Sequence, residues 1–168
     1  MALTLADGRI RLVALTTKPA NPEAVTAAEA AAGVRLECRI LKSDFRLSPT
    51  ASDTIADTPL CKEGNAVSFG ASNYEGSITP FRELTPEGLA DETNDVAWEA
   101  LKTKYTRLWL LKSEGKRHTE DIVTGDPYDL YEVITDNPQD PSDRGGYIKR
   151  VVPLGVQDAW LNKEIAGA

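Results

Sequence analysis

The segment comprising residues 34–41 constrains the fold most, because apolar and charged side chains alternate along it until Ile40 and Leu41. A period of two residues predicts a β-strand with one dry face and one solvated face. Residues 45–47 continue the extended pattern beyond a bend expected near residues 42–44. Half-solvated strands are typical of antiparallel sheets, since parallel sheets are usually covered on both faces.

Strands are also predicted at several other places in the chain. Residues 106–111 are the most apolar of these stretches, which favours a central position in a sheet. The remaining stretches lie between turn-forming segments: residues 9–15, 66–69, 74–82, 129–134 and 147–154. Residues 48–65 are rich in Ser, Thr, Asp and Pro, and they are predicted to form a long polar loop.

Two helices are predicted beside the strands. Asn21 is a suitable N-cap, Pro22 suits the first turn, and an alanine-rich run covers residues 24–32. Gly33 then ends this helix in a left-handed conformation. Acidic residues crowd the first turn of the second helix, residues 91–102, where the helix dipole favours negative charge.

About eight strands and two helices without regular β-α alternation predict a mainly β fold. Two antiparallel sheets would pack as a sandwich or barrel, with a helix against one side. The length of 168 residues fits a single domain, which we assign to residues 1–168. Within it we expect the long loop at about 48–65 and a short C-terminal arm at about 155–168.

Charge and hydropathy argue against two classes of protein. The net charge is −7, and no basic stripe is present to displace counterions from phosphates, so the chain is not expected to grip nucleic acid. No apolar run approaches the roughly 20 residues that span a bilayer. The first residues lack a basic start followed by an apolar stretch, so we expect no secretion signal, no membrane anchor and folding in a cytoplasm.

Few residues suit catalysis or metal binding. The single histidine, His118, lies in a hydrophilic stretch typical of a solvated loop, and no Gly-x-Ser-x-Gly motif accompanies it. Cys38 and Cys61 lack the spacing of a zinc site and are expected to be buried free thiols. Aspartates at 53–57 and 136–143 do not match a calcium loop and favour a solvated surface. The sequence therefore predicts no cofactor, no metal and no enzymatic activity.

The aromatic side chains have two interpretations. Trp98, Trp109, Phe81 and Tyr74 lie on predicted strands or helices, which favours positions in the core. Tyr74 also lies beside a turn that contains Gly70, where an aromatic side chain can anchor a protein interface. For Tyr74, core and interface stay open as alternatives.

Several motifs in the first half of the chain resemble one known family. They are Asp53-Thr54, Pro59-Leu60-Cys61, Gly64-Asn65 and Asn73-Tyr74-Glu75-Gly76-Ser77-Ile78-Thr79-Pro80-Phe81-Arg82. The order of predicted elements over about residues 9–155, with a turn at Gly125-Asp126, fits the same family. The chain resembles the major tail proteins, or tail tube proteins, of long-tailed, non-contractile phages that infect actinobacteria.

The resemblance implies a structural role in the virion tail, with assembly in the host cytoplasm. Tail tube subunits pack two antiparallel sheets with a flanking helix, and six subunits join into a ring. Rings stack into a tube, and DNA passes through its lumen on ejection without specific binding. The implied partners are further copies of the chain and the tape measure, tail terminator and distal tail proteins.

Two groups of residues follow from this resemblance. A long loop reaches between neighbouring subunits in such tubes, which assigns inter-ring contact to Asp53, Ile55, Asp57 and Leu60. The lumen wall or the subunit interface is assigned to side chains of the alternating segment and to the tyrosine beside the turn: Arg35, Glu37, Arg39 and Tyr74.

Two other hypotheses stay open at this point. A tail terminator, a head–tail connector ring or the tube protein of a contractile secretion machine would share the fold and differ in how far it polymerises. A small β-barrel enzyme or ligand-binding module is a different class, and it would need a concave pocket with a perturbed titratable residue. For that class, His118 buried beside an acid would be the expected sign.

Overall fold

Nine strands and two short helices make up the regular structure of the residues described. The structure is a computed structural model, and it describes residues 3–64 and 66–167. The elements in chain order are β1 Ile10–Leu15, α1 Ala27–Ala31, β2 Val34–Arg35, β3 Arg46–Thr50, β4 Thr54–Ile55, β5 Ser68–Phe69, β6 Asn73–Ile78, α2 Val96–Leu101, β7 Arg107–Glu114, β8 Pro127–Thr135 and β9 Val152–Glu164.

Seven strands form one antiparallel sheet in the order β2-β1-β7-β8-β9-β6-β3, and β4 pairs with β5 in a second sheet. The long strand β9 belongs to both halves of the large sheet. Its first residue, Val152, pairs with Ile78 of β6, whereas Leu154 and later residues pair with β8. The sheet folds over at this strand, so β3 and β6 cover one face of β1, β7 and β8. The predicted mainly β class, an antiparallel sandwich with few helices, is confirmed.

The first core lies between the two halves of the large sheet. Leu12 and Leu110 enter it from β1 and β7, and Leu47 and Ile78 enter it from the covering strands. Leu101 of α2 completes the layer, and each of these five side chains is almost fully buried. Burial of such a side chain contributes about 1.5–3 kcal/mol. This layer therefore holds the two halves of the sandwich together.

A second core covers the opposite face of β1, β7 and β8. Trp109, Leu111 and Leu130 pack there with Ala30 of α1 and with Ile165, which follows β9. The strand β7 is consequently buried on both faces, which explains its nearly continuous apolar sequence. Its predicted central position is confirmed, since β1 and β8 pair with it on either side.

The first helix begins later than the sequence predicted. Thr26 is the N-cap instead of Asn21: its hydroxyl accepts the N–H of Glu29 at 3.2 Å, and the Glu29 carboxylate accepts the N–H of Thr26 at 2.9 Å. This reciprocal pair is a capping box. The side-chain oxygen of Asn21 accepts the backbone N–H of Glu23. Asn21 therefore stabilises a turn before the helix instead of capping the helix itself.

Gly33 follows α1, but it does not take the left-handed conformation that was predicted for it. Its requirement for glycine comes from packing. A Cβ atom at this position would lie 2.3 Å from Cγ1 of Val13 and 2.6 Å from Cδ2 of Leu15. The missing side chain lets the segment before β2 lie directly on β1.

The second helix is also shorter than the predicted residues 91–102. The Asp91 carboxylate accepts the backbone N–H groups of Thr93 and Asn94. These bonds fold the residues before α2 into a turn, so the helix begins later. Asp95 is buried and makes no side-chain cap; its carboxylate binds the Arg82 guanidinium at 2.9 Å and a neighbouring backbone N–H. Neither described helix is long and apolar enough to cross a membrane.

The segment of residues 34–41 is not one continuous strand, contrary to the prediction. Only β2 is extended, and Leu36 then donates its N–H to the Leu12 carbonyl at 2.8 Å before the chain turns. Ile40 returns to the sheet through an isolated bridge to Pro80. Alternation alone could not distinguish a strand from a turn that happens to present side chains on alternate sides.

Two further boundaries differ from the prediction. The last strand begins at Val152 instead of residue 147, and residues expected to form a C-terminal arm remain in β9 as far as Glu164. The predicted polar loop at 48–65 contains the end of β3 and all of β4. Its last residue, Asn65, lies outside the described residues.

Candidate assembly surfaces

The large sheet ends in two short strands. β2 has only two residues at one edge, and β3 at the other edge contains Pro49, which has no backbone N–H. Edge strands expose backbone donors and acceptors that strands of another chain can pair with. The short β2 and the proline of β3 limit such pairing, because very short edge strands and edge prolines protect a sheet against uncontrolled contact with other chains.

The four residues assigned to inter-ring contact lie on one feature, the β4–β5 hairpin, which we define as residues 51–64 and 66–70. Asp53 precedes β4 and Ile55 lies in it, whereas Asp57 and Leu60 lie on the connection toward β5. Asp53 fixes the base of the hairpin, since its carboxylate accepts the side-chain N–H of Asn73 at 2.9 Å. All four assigned residues are exposed to solvent.

The same hairpin exposes apolar side chains that sequence reasoning missed. Phe69 is 79% exposed and Val67 is 60% exposed, next to the half-exposed Ile55. Residues 66–69 have a strand pattern, but nothing in that pattern reveals that β5 would pair with β4 alone. Exposed apolar clusters of this kind mark surfaces that contact other proteins.

The side chains assigned to the lumen or the subunit interface are largely engaged within their own chain. Arg35 forms an ion pair with Glu37 at 2.6 Å, and Glu37 also accepts the N–H of Leu12 at 3.4 Å. Arg39 forms an ion pair with Glu83 at 3.1 Å. These contacts tie down the turns after β2, and the three residues do not line one strand face.

Tyr74 lies on β6 and packs against the first core. Its ring meets the ring of Tyr131 edge to face, with 6.4 Å between the centroids. Burial raises the pKa of Tyr131 to about 12, and its hydroxyl has no hydrogen-bond partner among the described residues. The half-buried ring of Tyr74 favours the core interpretation of this residue over a free interface anchor.

An apolar groove with a volume of about 440 Å³ opens beside β1. Ile10, Ile40 and Phe45 supply apolar walls, and the polar lining includes Cys38, Lys42 and His118. Sequence reasoning did not find this groove, because its walls come from segments that are distant in the chain.

His118 is half-buried and bonded to the backbone. Its backbone N–H donates to the Gly8 carbonyl at 2.9 Å, and its ring Nδ1 lies 3.3 Å from the same oxygen. Glu37 also lines the groove, but its carboxylate is held by Arg35 and a backbone N–H. Among the described residues, no carboxylate forms a hydrogen bond with His118, so the expected sign of an acid–histidine pair is not found there.

The prediction of buried thiols is wrong, because Cys38 and Cys61 are both free and exposed. Their segments turn at the surface instead of entering a core, which the strand pattern around Cys38 had suggested. The aspartate segments are solvated and locally paired; Asp140, for example, binds Arg144 at 2.9 Å. Within residues 3–64 and 66–167, no three metal-ligating side chains come together.

A buried ion pair anchors the turn before β8. Arg11 is fully buried on β1, and its guanidinium lies 2.9 Å from the Asp126 carboxylate and 2.7 Å from the Ser113 hydroxyl. Burial alone would raise the pKa of Asp126, but hydrogen bonds from Lys116, from the Val123 N–H and from Arg11 outweigh it and lower that pKa. The pair ties β1, β7 and the β8 turn into one unit.

The fold and these surfaces define a class: a β-sandwich domain with an exposed apolar hairpin, suited to contact with other protein chains. A family profile described as phage tail tube protein matches residues 1–168. The chain therefore belongs to the phage tail tube protein family and is a structural component of a virion tail. No curated protein gives a significant match to the sequence.

Proposed function

We propose that this chain is the subunit of the tail tube itself. Six copies close into a ring, rings stack into a tube, and DNA passes through the lumen on ejection. The whole-chain match to the tail tube family carries the proposal. The exposed apolar side chains of the β4–β5 hairpin support it, because such clusters mark surfaces that contact other proteins.

In this proposal the β4–β5 hairpin makes the contact between rings, through Asp53, Ile55, Asp57 and Leu60. Arg35, Glu37 and Arg39 contribute to the lumen wall or to the subunit interface, and Tyr74 supports that wall from the core side. The net charge of −7 favours passage over binding, since an acidic surface repels the phosphates of DNA.

The outer face of β3 and β6 is a further part of the proposed wall. Its side chains point away from the first core and are polar, and they form cross-strand pairs at Arg46 with Ser77 and at Ser48 with Glu75. A polar and nearly neutral strand face gives phosphates no cluster of basic groups to bind, so DNA would slide along it.

The setting of the assembly is part of the same proposal. The chain acts as one tail-tube domain, residues 1–168, assembles in the host cytoplasm and joins tape measure, tail terminator and distal tail proteins. The motif over residues 73–82 supports a long-tailed, non-contractile phage of actinobacteria, because that is where the resemblance to those tail proteins is concentrated.

Negative-stain microscopy of the purified full chain, over a series of concentrations, tests the proposal. Tubes of one diameter that lengthen with protein concentration are expected. Single rings that never stack would indicate a tail terminator or connector ring instead. A protein that stays monomeric at high concentration, even after the other tail proteins are added, would refute the proposed function.

A further inference from the structure

We infer that residues 3–5 form a strap that folds back from Ala6 and closes the apolar groove beside β1 within the same subunit. In the structure the strap stands open, since Leu3 is fully exposed and Leu5 is 78% exposed. Closure removes the two leucine side chains and the apolar walls of the groove from water together, which favours the closed state. The inference concerns the unassembled subunit and goes beyond the proposed function.

The residues that follow the strap tie it to the margin of the groove. Ala6 lines the groove, and its carbonyl accepts the N–H of Arg9 at 3.0 Å in a tight turn. Gly8 takes a left-handed conformation in this turn, with a φ of +69°, and its carbonyl accepts the backbone N–H of His118. The turn is therefore fixed to the β7–β8 connection, and the strap moves about the residues before it.

The length and the side-chain pattern of the strap fit the groove. Three extended residues reach about 10 Å from Ala6, enough to cover a groove with a volume of about 440 Å³. An extended backbone places Leu3 and Leu5 on one face and Thr4 on the other. Both leucines can thus face the apolar walls of the groove while the Thr4 hydroxyl stays in water.

Charged groups around the groove favour an uncharged occupant. Glu37 in the lining is paired with Arg35, and Lys42 is paired with Asp7 at the exposed mouth. The strap residues carry no charged side chain, so closure leaves both ion pairs in place. A charged occupant would have to compete with these pairs or lose its own hydration without a partner.

Tethering commits the groove to the strap of its own chain. A segment joined to its site by a short connection meets that site at an effective concentration on the order of millimolar. The strap of a second copy is present only at the bulk concentration, so in a micromolar solution the contact within one chain is favoured by about a thousandfold. Closure covers apolar surface that would otherwise invite non-specific contact.

A disulfide trap tests closure, because Cys38 lies in the lining of the groove. Leu3→Cys and Leu5→Cys are each introduced into the full chain together with C61S, so that Cys38 is the only other thiol. Diamide oxidises the two thiols to a disulfide and takes up their two electrons and two protons. Thr4→Cys in the same background is the matched control, since its side chain lies on the opposite face of the strap.

Non-reducing electrophoresis of micromolar protein, with mass spectrometry of the linked peptides, separates the outcomes. An intrachain disulfide is expected from Leu3→Cys or Leu5→Cys, with at least about tenfold less from Thr4→Cys, since thiols on opposite faces cannot reach disulfide geometry. Linked dimers as the main product would show that a second copy supplies the strap and would overturn the inference. Equal yields at the three positions, or no linkage, would also overturn it.

The rate at which Cys38 reacts with a bulky maleimide tests closure with both native thiols present, and the exposed Cys61 serves as internal reference. Leu3→Ser with Leu5→Ser should raise the Cys38 rate at least about tenfold relative to Cys61, because burial of even one leucine is worth about that factor. Leu89→Ser with Val123→Ser changes two exposed apolar side chains elsewhere and should leave both rates unchanged. The same Cys38 rate in the parent protein and in the first double variant would contradict closure.

Discussion

Replacing Asp126 by asparagine removes the acidic partner of a fully buried arginine. The Arg11 guanidinium lies 2.9 Å from the Asp126 carboxylate, and its other contacts, to the Ser113 hydroxyl and the Asp121 carbonyl, are neutral acceptors. Asparagine keeps the size of the side chain but leaves the buried cation without a counterion. Loss of one partner from a buried pair costs about 3–5 kcal/mol.

This loss corresponds to a large fall in melting temperature. For a chain of this length each kcal/mol lowers the midpoint by about 2–4 °C, so D126N should melt roughly 6–20 °C below the parent protein. The pKa of Asp126 is lowered in the folded state, below the value of about 3.9 expected for an unfolded aspartate. Its contribution is therefore fully present above pH of about 4 and disappears as the pH falls through the folded pKa.

Urea unfolding followed by circular dichroism measures both effects. The difference in unfolding free energy between parent and D126N should be large at pH 7 and shrink at acidic pH. E99Q is the control, because the Glu99–Lys102 pair is a half-exposed pair on one helix and is worth about 0.5 kcal/mol or less. Arg11→Met added to D126N should recover part of the loss. If D126N were no more harmful than E99Q, the role assigned to the buried pair would be wrong.

Two further substitutions test packing at single sites. Gly33→Ala should destabilise the fold by about 1–3 kcal/mol in urea unfolding, because its Cβ would overlap the Val13 and Leu15 side chains. Gly64→Ala is the control and should be nearly neutral, since its Cβ meets no atom within 4 Å. Equal effects of the two substitutions would contradict the packing explanation. Tyr131→Phe should be neutral or stabilising, since the buried hydroxyl has no partner among the described residues. In the parent protein an absorbance titration should show a tyrosine that ionises only near pH 12, and the free energy of unfolding should fall as the pH rises above about 10. A destabilised Phe variant would reveal a missed hydrogen bond.

Strands with a strong local signal could be predicted from the sequence. The apolar run of β7 and the alternation of β8 are properties of consecutive residues, and burial on one or both faces follows directly from them. Helix starts were predicted less well, because Asn21 and Thr26 are both good caps. Only the reciprocal contact with Glu29 shows which of them begins the helix.

The surfaces were harder to predict than the core. The exposure of Phe69 depends on β5 having a single partner strand, and the groove depends on the meeting of segments from β1, the turns after β2 and the β7–β8 connection. Both are consequences of tertiary pairing, which no local pattern encodes. The resemblance to tail tube proteins led to the hairpin by analogy, whereas its apolar face is visible only in the structure.

The two cores and the exposed hairpin are built from different elements of the fold. Both cores are built from β1, β7, β8 and their covering elements, and no residue of β4 or β5 belongs to either core. Stability of the subunit is thus largely independent of the hairpin, and substitutions at Val67 or Phe69 should leave folding intact. The apolar side chains of the hairpin are exposed in the isolated subunit, so the driving force for their burial is present before any contact with another protein. Under the proposed function, a subunit of this design would fold alone and assemble by surface contact, without any need to rearrange its core.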